Sequence, residues 1–303
     1  MMYDRKIVRV YKRLIPKILR DKITILRNSG GLNTIRRNIL SYYSSPVGAN
    51  SDEIKQVLGY LKKKPLRLFP YRFPDKYDAS DIKVYHDDQL NLNYVLHQEK
   101  RMYFKRSWAI NDIRENYTNL LIEQDEDSPH RYLNEKFNIN PGFVVADVGA
   151  AEGIFSLSII NDVKKIYLFE TDTEWIEALR ATFCPWIDKI EIVNRFVSDK
   201  NTADAISLDE FEKREHVSFD FIKVDIDGAE DMLLKGCHEI FSETRKIKLA
   251  VCTYHNAGDE LLFSNILKNY NFSVSPSLGY MVFYYDLALS APYLRRGLLR
   301  AIK

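Results

Sequence analysis

The sequence predicts an α/β protein: a doubly wound sheet with an antiparallel C-terminal hairpin, behind a mixed N-terminal extension. Three observations predict it. After Pro141-Gly142, short apolar runs alternate with helix-length segments, the βαβ rhythm of a parallel sheet. Glycines and carboxylates gather where those runs end, the edge at which open α/β sheets bind ligands. The last two apolar runs stand too close together for a parallel crossover, which takes about a dozen residues, so they must pair antiparallel.

A chain of 303 residues, 46% hydrophobic and 28% charged, is long enough for a large core, and that composition excludes disordered and collagen-like classes. The net charge of +2 argues against a protein built to coat nucleic acid. Charge is uneven, however: residues 1–40 carry 11 Lys or Arg against 2 Asp or Glu, a net of +9. We therefore divide the chain into a basic amphipathic arm (1–45), a mixed α/β segment (46–140) that reads as a cap or substrate-recognition element, and a sheet domain (141–303).

In the arm, Ile7, Tyr11, Leu14 and Ile18 form one helical stripe among Lys6, Arg9, Lys12, Arg13 and Lys17. Pro16 and Gly30-Gly31 divide it into two short helical pieces. Such a helix either packs on the main domain or lies on an anionic membrane surface. No apolar run reaches the length of a membrane-spanning helix. Charges recur through Arg20, which does not read as a secretory signal. Cys184, Cys237 and Cys252 show no CxxC spacing, so neither a disulfide framework nor a cysteine zinc site is expected and a reducing cytoplasm fits.

Ile82–Tyr85 and Tyr94–Leu96 read as strands of a small sheet or hairpin, Ile110–Ile122 as a helix, and the polar cluster Gln124–His130 as part of a lid. Strands then follow at Phe143–Val148, Lys165–Phe169, Ile190–Val193, Phe219–Val224 and Ile247–Thr253. Helices lie between them at Ile154–Asn161, Glu174–Phe183 and Ala229–Phe241. Phe272–Val274 and Tyr280–Tyr285 form the expected hairpin, and the basic Tyr293–Arg300 is expected at the surface near the arm.

Asp147-Val148-Gly149-Ala150-Ala151-Glu152-Gly153 follows the first strand of this domain and opens a helix, where backbone amides face a ligand. Its GxxxG spacing lacks the middle glycine of a GxGxxG dinucleotide turn. Glu170 ends the next strand, 23 residues after Asp147, placed to accept hydrogen bonds from ribose hydroxyls. Asp225, Asp227 and Glu230 leave the end of the fourth strand together. Glu230 suits the first turn of the following helix through the dipole, whereas like charges at Asp225 and Asp227 repel unless a ligand or a proton-transfer role uses them.

These blocks, with Phe169-Glu170, Val197-Ser198-Asp199, Ser207-Leu208-Asp209-Glu210-Phe211 and Phe221 through Glu230, occur in the order found in the FkbM family of S-adenosylmethionine-dependent methyltransferases, which the sequence resembles over about Pro141 to Asp286. The resemblance implies a class I methyltransferase-like (Rossmann-like) fold and S-adenosylmethionine as cofactor. It implies cofactor contacts at Asp147, Gly149, Ala150, Gly153, Glu170, Ser198, Asp199 and Asp225: the glycines at the methionine and ribose, Glu170 at the ribose hydroxyls, Ser198 or Asp199 at the adenine, and Asp225 toward the sulfonium. It also implies an oxygen acceptor, a glycan or other small hydroxylated molecule. The sequence departs from the family where Asp227 replaces a common Glu and where no Glu precedes His255 in Cys252-Thr253-Tyr254-His255.

An alcohol acceptor must lose a proton as the methyl arrives, and Asp227 and His255 are the expected catalytic residues. No metal site is predicted, although convergence of Asp225, Asp227 and His255 would gather donors for a divalent cation. Competing readings are a nicotinamide-dependent oxidoreductase and a non-catalytic nucleotide-binding or membrane-docking adaptor. Nucleic acid is not expected as a partner, since Ile226-Asp227-Gly228 stands where an Asn-Pro-Pro-aromatic or Asp-Pro-Pro-aromatic tetrapeptide would otherwise follow the fourth strand.

Overall fold

The computed structural model describes residues 30–44, 51–286 and 288–303. The helix expected in residues 5–19, and with it the apolar stripe, lies outside them. Contacts divide the chain into two compact units, residues 1–71 with 282–294, and residues 72–281 with 295–303. In the first, α1 (Leu32–Tyr43) and α2 (Asp52–Leu61) bury Ile39 and the stripe Ile54, Val57 and Leu61. Ser51 caps α2 by accepting from the Ile54 amide, with Asp52 and Glu53 in the first turn.

The second unit opens with a three-stranded antiparallel sheet, β1 (Tyr85–Asp87), β2 (Leu92–His97) and β3 (Lys100–Tyr103). Its register sets Tyr85, Tyr94 and Tyr103 side by side, with ring centroids 5.4 and 5.2 Å apart. Helix α3 (Ile110–Glu123) follows, close to its expected span.

The main sheet has seven strands: β4 (Val144–Val148), β5 (Lys165–Phe169), β6 (Ile190–Val193), β9 (Phe221–Val224), β10 (Lys248–Cys252), β11 (Ser273–Pro276) and β12 (Leu298–Ile302). They lie in the order β11-β12-β10-β9-β4-β5-β6, and only β12 runs against its neighbours. This is the doubly wound, class I methyltransferase-like sheet with an antiparallel C-terminal element. A two-stranded parallel pair, β7 (Phe196–Val197) and β8 (Ala205–Ile206), stands apart from it.

Strand alternation sorts the side chains into two cores. Val145, Ile166, Leu168 and Phe221 face a layer built from the small sheet, α3, α4 (Ile154–Ile159) and α5 (Thr173–Phe183). Ala146, Tyr167, Phe169, Ile222 and Val224 face α6 (Leu208–Glu215), α7 (Glu230–Lys235), α8 (His238–Ser242) and α9 (Asp259–Asn269). The strand order reverses at β4, so the ligand-binding crevice of such a sheet lies at the carboxyl ends of β4 and its neighbours.

The expected hairpin is corrected in its partner. Tyr280–Tyr285 is not a strand; Met281 only bridges to Arg295. The strand that pairs with β11 is β12, inserted between β10 and β11. Arg300 made that segment look like exposed basic surface, but it is buried, its Nε donating to the Tyr132 carbonyl at 3.0 Å. Burial, with Arg131 nearby, lowers its pKa to about 10. The helix expected over 229–241 breaks into α7 and α8 at Gly236, where a Cβ would lie 2.2 Å from the Ser198 carbonyl oxygen. Helix α9 was not anticipated: exposed Leu261 and Leu262 blur its apolar stripe.

Candidate active site

Register places the first charged pair. Asp147 in β4 lies beside Lys223 in β9, and both point to the same face of the sheet, where neither is more than 4% exposed. Lys223 Nζ is 3.0 Å from Asp147 Oδ1 and donates to the Gly149 carbonyl at 2.7 Å. Ser156 Oγ donates to Asp147 Oδ2 at 2.7 Å. Burial opposes charge on Lys223, but Asp147 and Asp225 outweigh it and raise its pKa.

The glycine turn is fixed by close backbone approach. Gly149 has φ +76°, and a Cβ there would stand 2.0 Å from the Asp225 carbonyl oxygen. Gly153, at φ +75°, starts α4 against Leu179 and Phe183. The turn's amides, expected to be bare, are used internally. Gly149 and Ala150 donate to the Phe169 carbonyl at 3.0 and 3.2 Å, and Gly153 donates to Ala150. Glu170 takes the Ala151 amide on one oxygen at 2.9 Å, and the Thr171 and Asp172 amides on the other at 2.7 and 2.8 Å. The two crevice turns are therefore tied together through Glu170.

Asp225 stands at the centre of a polar cluster. Tyr132 and Tyr254 hydroxyls donate to its two oxygens at 2.8 and 3.0 Å, and the Nε2 atoms of His130 and His255 lie 3.5 and 3.6 Å away. Burial disfavours its charge, yet His130, His255 and Lys223 hold the carboxyl far below the usual range. On the other side of His255, Nδ1 lies 2.8 Å from Glu230 Oε1. Glu230 is fully buried and accepts from the Ile226 and Gly228 amides at 3.1 and 3.3 Å, so it does much more than complement the α7 dipole. Burial lowers the His255 pKa, but Glu230, Asp225 and Asp227 more than offset this and raise it. Asp227, at φ +55° with a side chain 74% exposed, places Oδ1 3.8 Å from His255 Nε2.

Helix α3 brings two further groups. Asn116 donates to Glu152 at 2.9 Å, and burial raises the pKa of Glu152. Burial likewise pushes Glu123 up to about 7, with Asp225 and Glu152 adding to the shift and His130 opposing it.

The predicted residues thus divide. Asp147, Gly149, Ala150, Gly153, Glu170, Asp225, Asp227 and His255 form a contiguous rim joined by the contacts above. Ser198 and Asp199 do not join it through those contacts: the Ser198 amide donates to Ile206, its Oγ accepts from Lys200, and Asp199 is exposed. Lys223, Glu230, His130, Tyr132 and Glu123 were missed as site residues. Lys223 and Glu230 had a signal, being charges at the end of an apolar run; His130 and Tyr132 had none beyond their side-chain type. The trios His130–Asp225–Cys252 and Asp225–Glu230–His255 hold donor atoms within 4.8 Å of one another. Within them Asp225 accepts from the Tyr132 and Tyr254 hydroxyls and Glu230 from the Ile226 and Gly228 amides, and both carboxylates face histidines.

In comparison with known proteins, no family model matches this sequence, and no curated protein does. Among solved structures it is similar to the methyltransferase FkbM of Methylobacillus flagellatus KT, at 16% identity and a TM-score of 0.45. That match takes in 93% of this chain but only 60% of the other. It is also similar to a precorrin-6y C5,15-methyltransferase of Geobacter metallireducens GS-15, at 12% identity and 0.37, covering 55% of this chain and 85% of that one. An rRNA methylase of Streptococcus thermophilus is similar at 11% and 0.36, covering 55% and 88%.

Proposed function

We propose that this chain is an S-adenosylmethionine-dependent O-methyltransferase acting on a glycan or other small hydroxylated acceptor. The observation that carries the reading is the close approach of the Gly149 turn to Asp225 at the strand-order reversal. That approach sets a half-buried, negatively charged carboxyl ringed by hydroxyls in the crevice where a cationic sulfonium fits. Asp147, Gly149, Ala150, Gly153 and Glu170 would hold the cofactor, with Ser198 and Asp199 proposed toward the adenine. When bound, S-adenosylmethionine supplies an electrophilic methyl on positively charged sulfur.

The chain's own residues then have defined tasks. Lys223 and Asp147 lock the glycine turn to the strands. Asp225 gives the crevice negative charge and keeps the Tyr132 and Tyr254 hydroxyls oriented. Asp227 and His255 stand where a proton leaving the acceptor oxygen can be taken up. Holding acceptor and donor in line contributes up to roughly 7–11 kcal/mol in ideal cases.

The test is calorimetry with S-adenosylhomocysteine, followed by transfer of label from methyl-labelled S-adenosylmethionine into fractionated cell extract. Binding and label in a carbohydrate or small-molecule fraction are expected, with less label from Asp227→Asn. Label in RNA or DNA sinks the acceptor assignment; absence of binding sinks the cofactor assignment. Heat with NAD instead would favour the oxidoreductase, and binding without transfer the adaptor.

A further inference from the structure

We infer that Glu230 and His255 form a carboxylate–imidazole pair in which His255 Nε2 takes the acceptor's proton and Glu230 is the positioning residue. This rests on the methyl-transfer reading above and names the base within it. Asp227 and His255 entered as equal candidates, and the surroundings separate them. His255 is 6% exposed in its side chain, whereas Asp227 is 74% exposed. A buried imidazole flanked by carboxylates is held in place and its charged form is stabilised there, whereas an exposed side chain is not fixed against an acceptor.

Geometry fixes the division of labour. Glu230 Oε1 lies 2.8 Å from His255 Nδ1, and the same oxygen is anchored by the Ile226 and Gly228 amides. Those amides belong to the turn that carries Asp227, so the carboxylate and the turn move as one piece. Nδ1 faces Glu230 as an ion-pair contact, and a carboxylate at that distance favours the ring's hydrogen on Nδ1, leaving Nε2 to take up a proton. Nε2 is directed at the Asp225 and Asp227 carboxylates, 3.6 and 3.8 Å away. The His255 carbonyl is held by Arg295 at 2.9 Å, and the Tyr254 ring packs on the imidazole with centroids 4.0 Å apart. Other charged groups acting on this region are Asp259 at the start of α9, and Lys223 and His130 through Asp225.

The step balances. An acceptor oxygen lone pair forms the C–O bond, and the S–C bond breaks with its electron pair going to sulfur, which becomes a neutral thioether. The acceptor O–H proton moves to Nε2, and the resulting imidazolium lies between Glu230 and the two aspartates. This is the arrangement in which a buried carboxylate orients a histidine and stabilises its charged form.

The experiment uses full-length protein with 15N-labelled histidine, the His255 signals assigned by their loss in His255→Gln. Long-range proton–nitrogen correlations report tautomer and titration together. Wild type is expected to show the Nδ1–H tautomer above its pKa, and Glu230→Gln a pKa lower by at least one unit. A dominant Nε2–H tautomer in wild type overturns the proposal without recourse to any variant, as does an unshifted pKa in folded Glu230→Gln. Label transfer from S-adenosylmethionine into extract, measured against pH, then tests the role in turnover. Its acidic inflection should move down in Glu230→Gln, with the plateau reduced at least tenfold and S-adenosylhomocysteine affinity within threefold of wild type. An unmoved inflection overturns the catalytic part. Failure of wild type to bind S-adenosylhomocysteine is the separate outcome that removes the methyl-transfer reading and leaves only the histidine pair.

Discussion

Gly149 occupies a left-handed backbone position with another strand's carbonyl where a side chain would begin. An alanine there must both adopt positive φ, at a cost of about 1–3 kcal/mol, and displace the Asp225 backbone. Gly149→Ala should therefore melt lower than wild type and bind S-adenosylhomocysteine at least tenfold more weakly; thermal melts and calorimetry measure the two effects. Unchanged affinity would mean that the approach of β4 to Asp225 does not shape the cofactor crevice. Glu123 offers a second residue-level test. Its folded pKa is raised to about 7, so folding favours the protonated form: the group contributes its full stability below about pH 4.5 and loses it as pH rises toward 7. Glu123→Gln should thus match wild type near pH 4 and melt higher at pH 8. The reverse ordering at pH 8 would show that the carboxylate is stabilised where it stands.

Between neighbouring strands, a single register decides the fate of two charges. The pairing that sets Ile222 beside Ala146 also sets Lys223 beside Asp147, and a slip of β9 by one residue would turn Lys223 into the opposite apolar layer and strip Asp147 of its cation. Removing one partner from a buried pair costs about 3–5 kcal/mol, whereas replacing both with apolar groups is often close to neutral. Urea unfolding should accordingly find Lys223→Met strongly destabilised and Asp147→Leu/Lys223→Met recovering most of the loss; a double variant no better than the single would show that Ser156 and Gly149 depend on the ions themselves. Lys165–Phe169 was legible because burial on both faces demands a continuous apolar run, and the partly buried edge strand Ile190–Val193 because β-branched residues flank Glu191. β12 was not, since Arg300 interrupts its run and finds its hydrogen bonds at the carbonyls of Arg131 and Tyr132, remote in sequence. The rim was legible for a related reason: Gly149, Glu170, Asp225 and Asp227 sit at strand ends, where local spacing tells position. His130 and Tyr132 reach Asp225 only through tertiary folding, Tyr132 from 93 positions away, and no local periodicity encodes that meeting.

For the whole molecule, charge is segregated: residues 1–40 carry +9, while residues 41–303 carry a net of −7. No helix among the described residues is long and apolar enough to cross a membrane. Electrostatic attraction to an anionic leaflet contributes about 1 kcal/mol per basic residue close to the surface and fades within a Debye length of roughly 8 Å at physiological salt. We therefore expect sedimentation with vesicles containing phosphatidylserine at low salt and release by 0.5 M NaCl. Neutral phosphatidylcholine vesicles should retain little, and a variant lacking residues 1–29 should remain in the supernatant. Those residues precede both helices of the first described unit, so S-adenosylhomocysteine calorimetry on the truncated chain reports whether the crevice survives their loss. Equal sedimentation with neutral vesicles would replace the electrostatic explanation with an apolar one carried by the Ile7–Ile18 stripe. If the truncated chain still sedimented, the contact would belong elsewhere on the molecule, and the charge segregation would have to be explained by something other than an anionic surface.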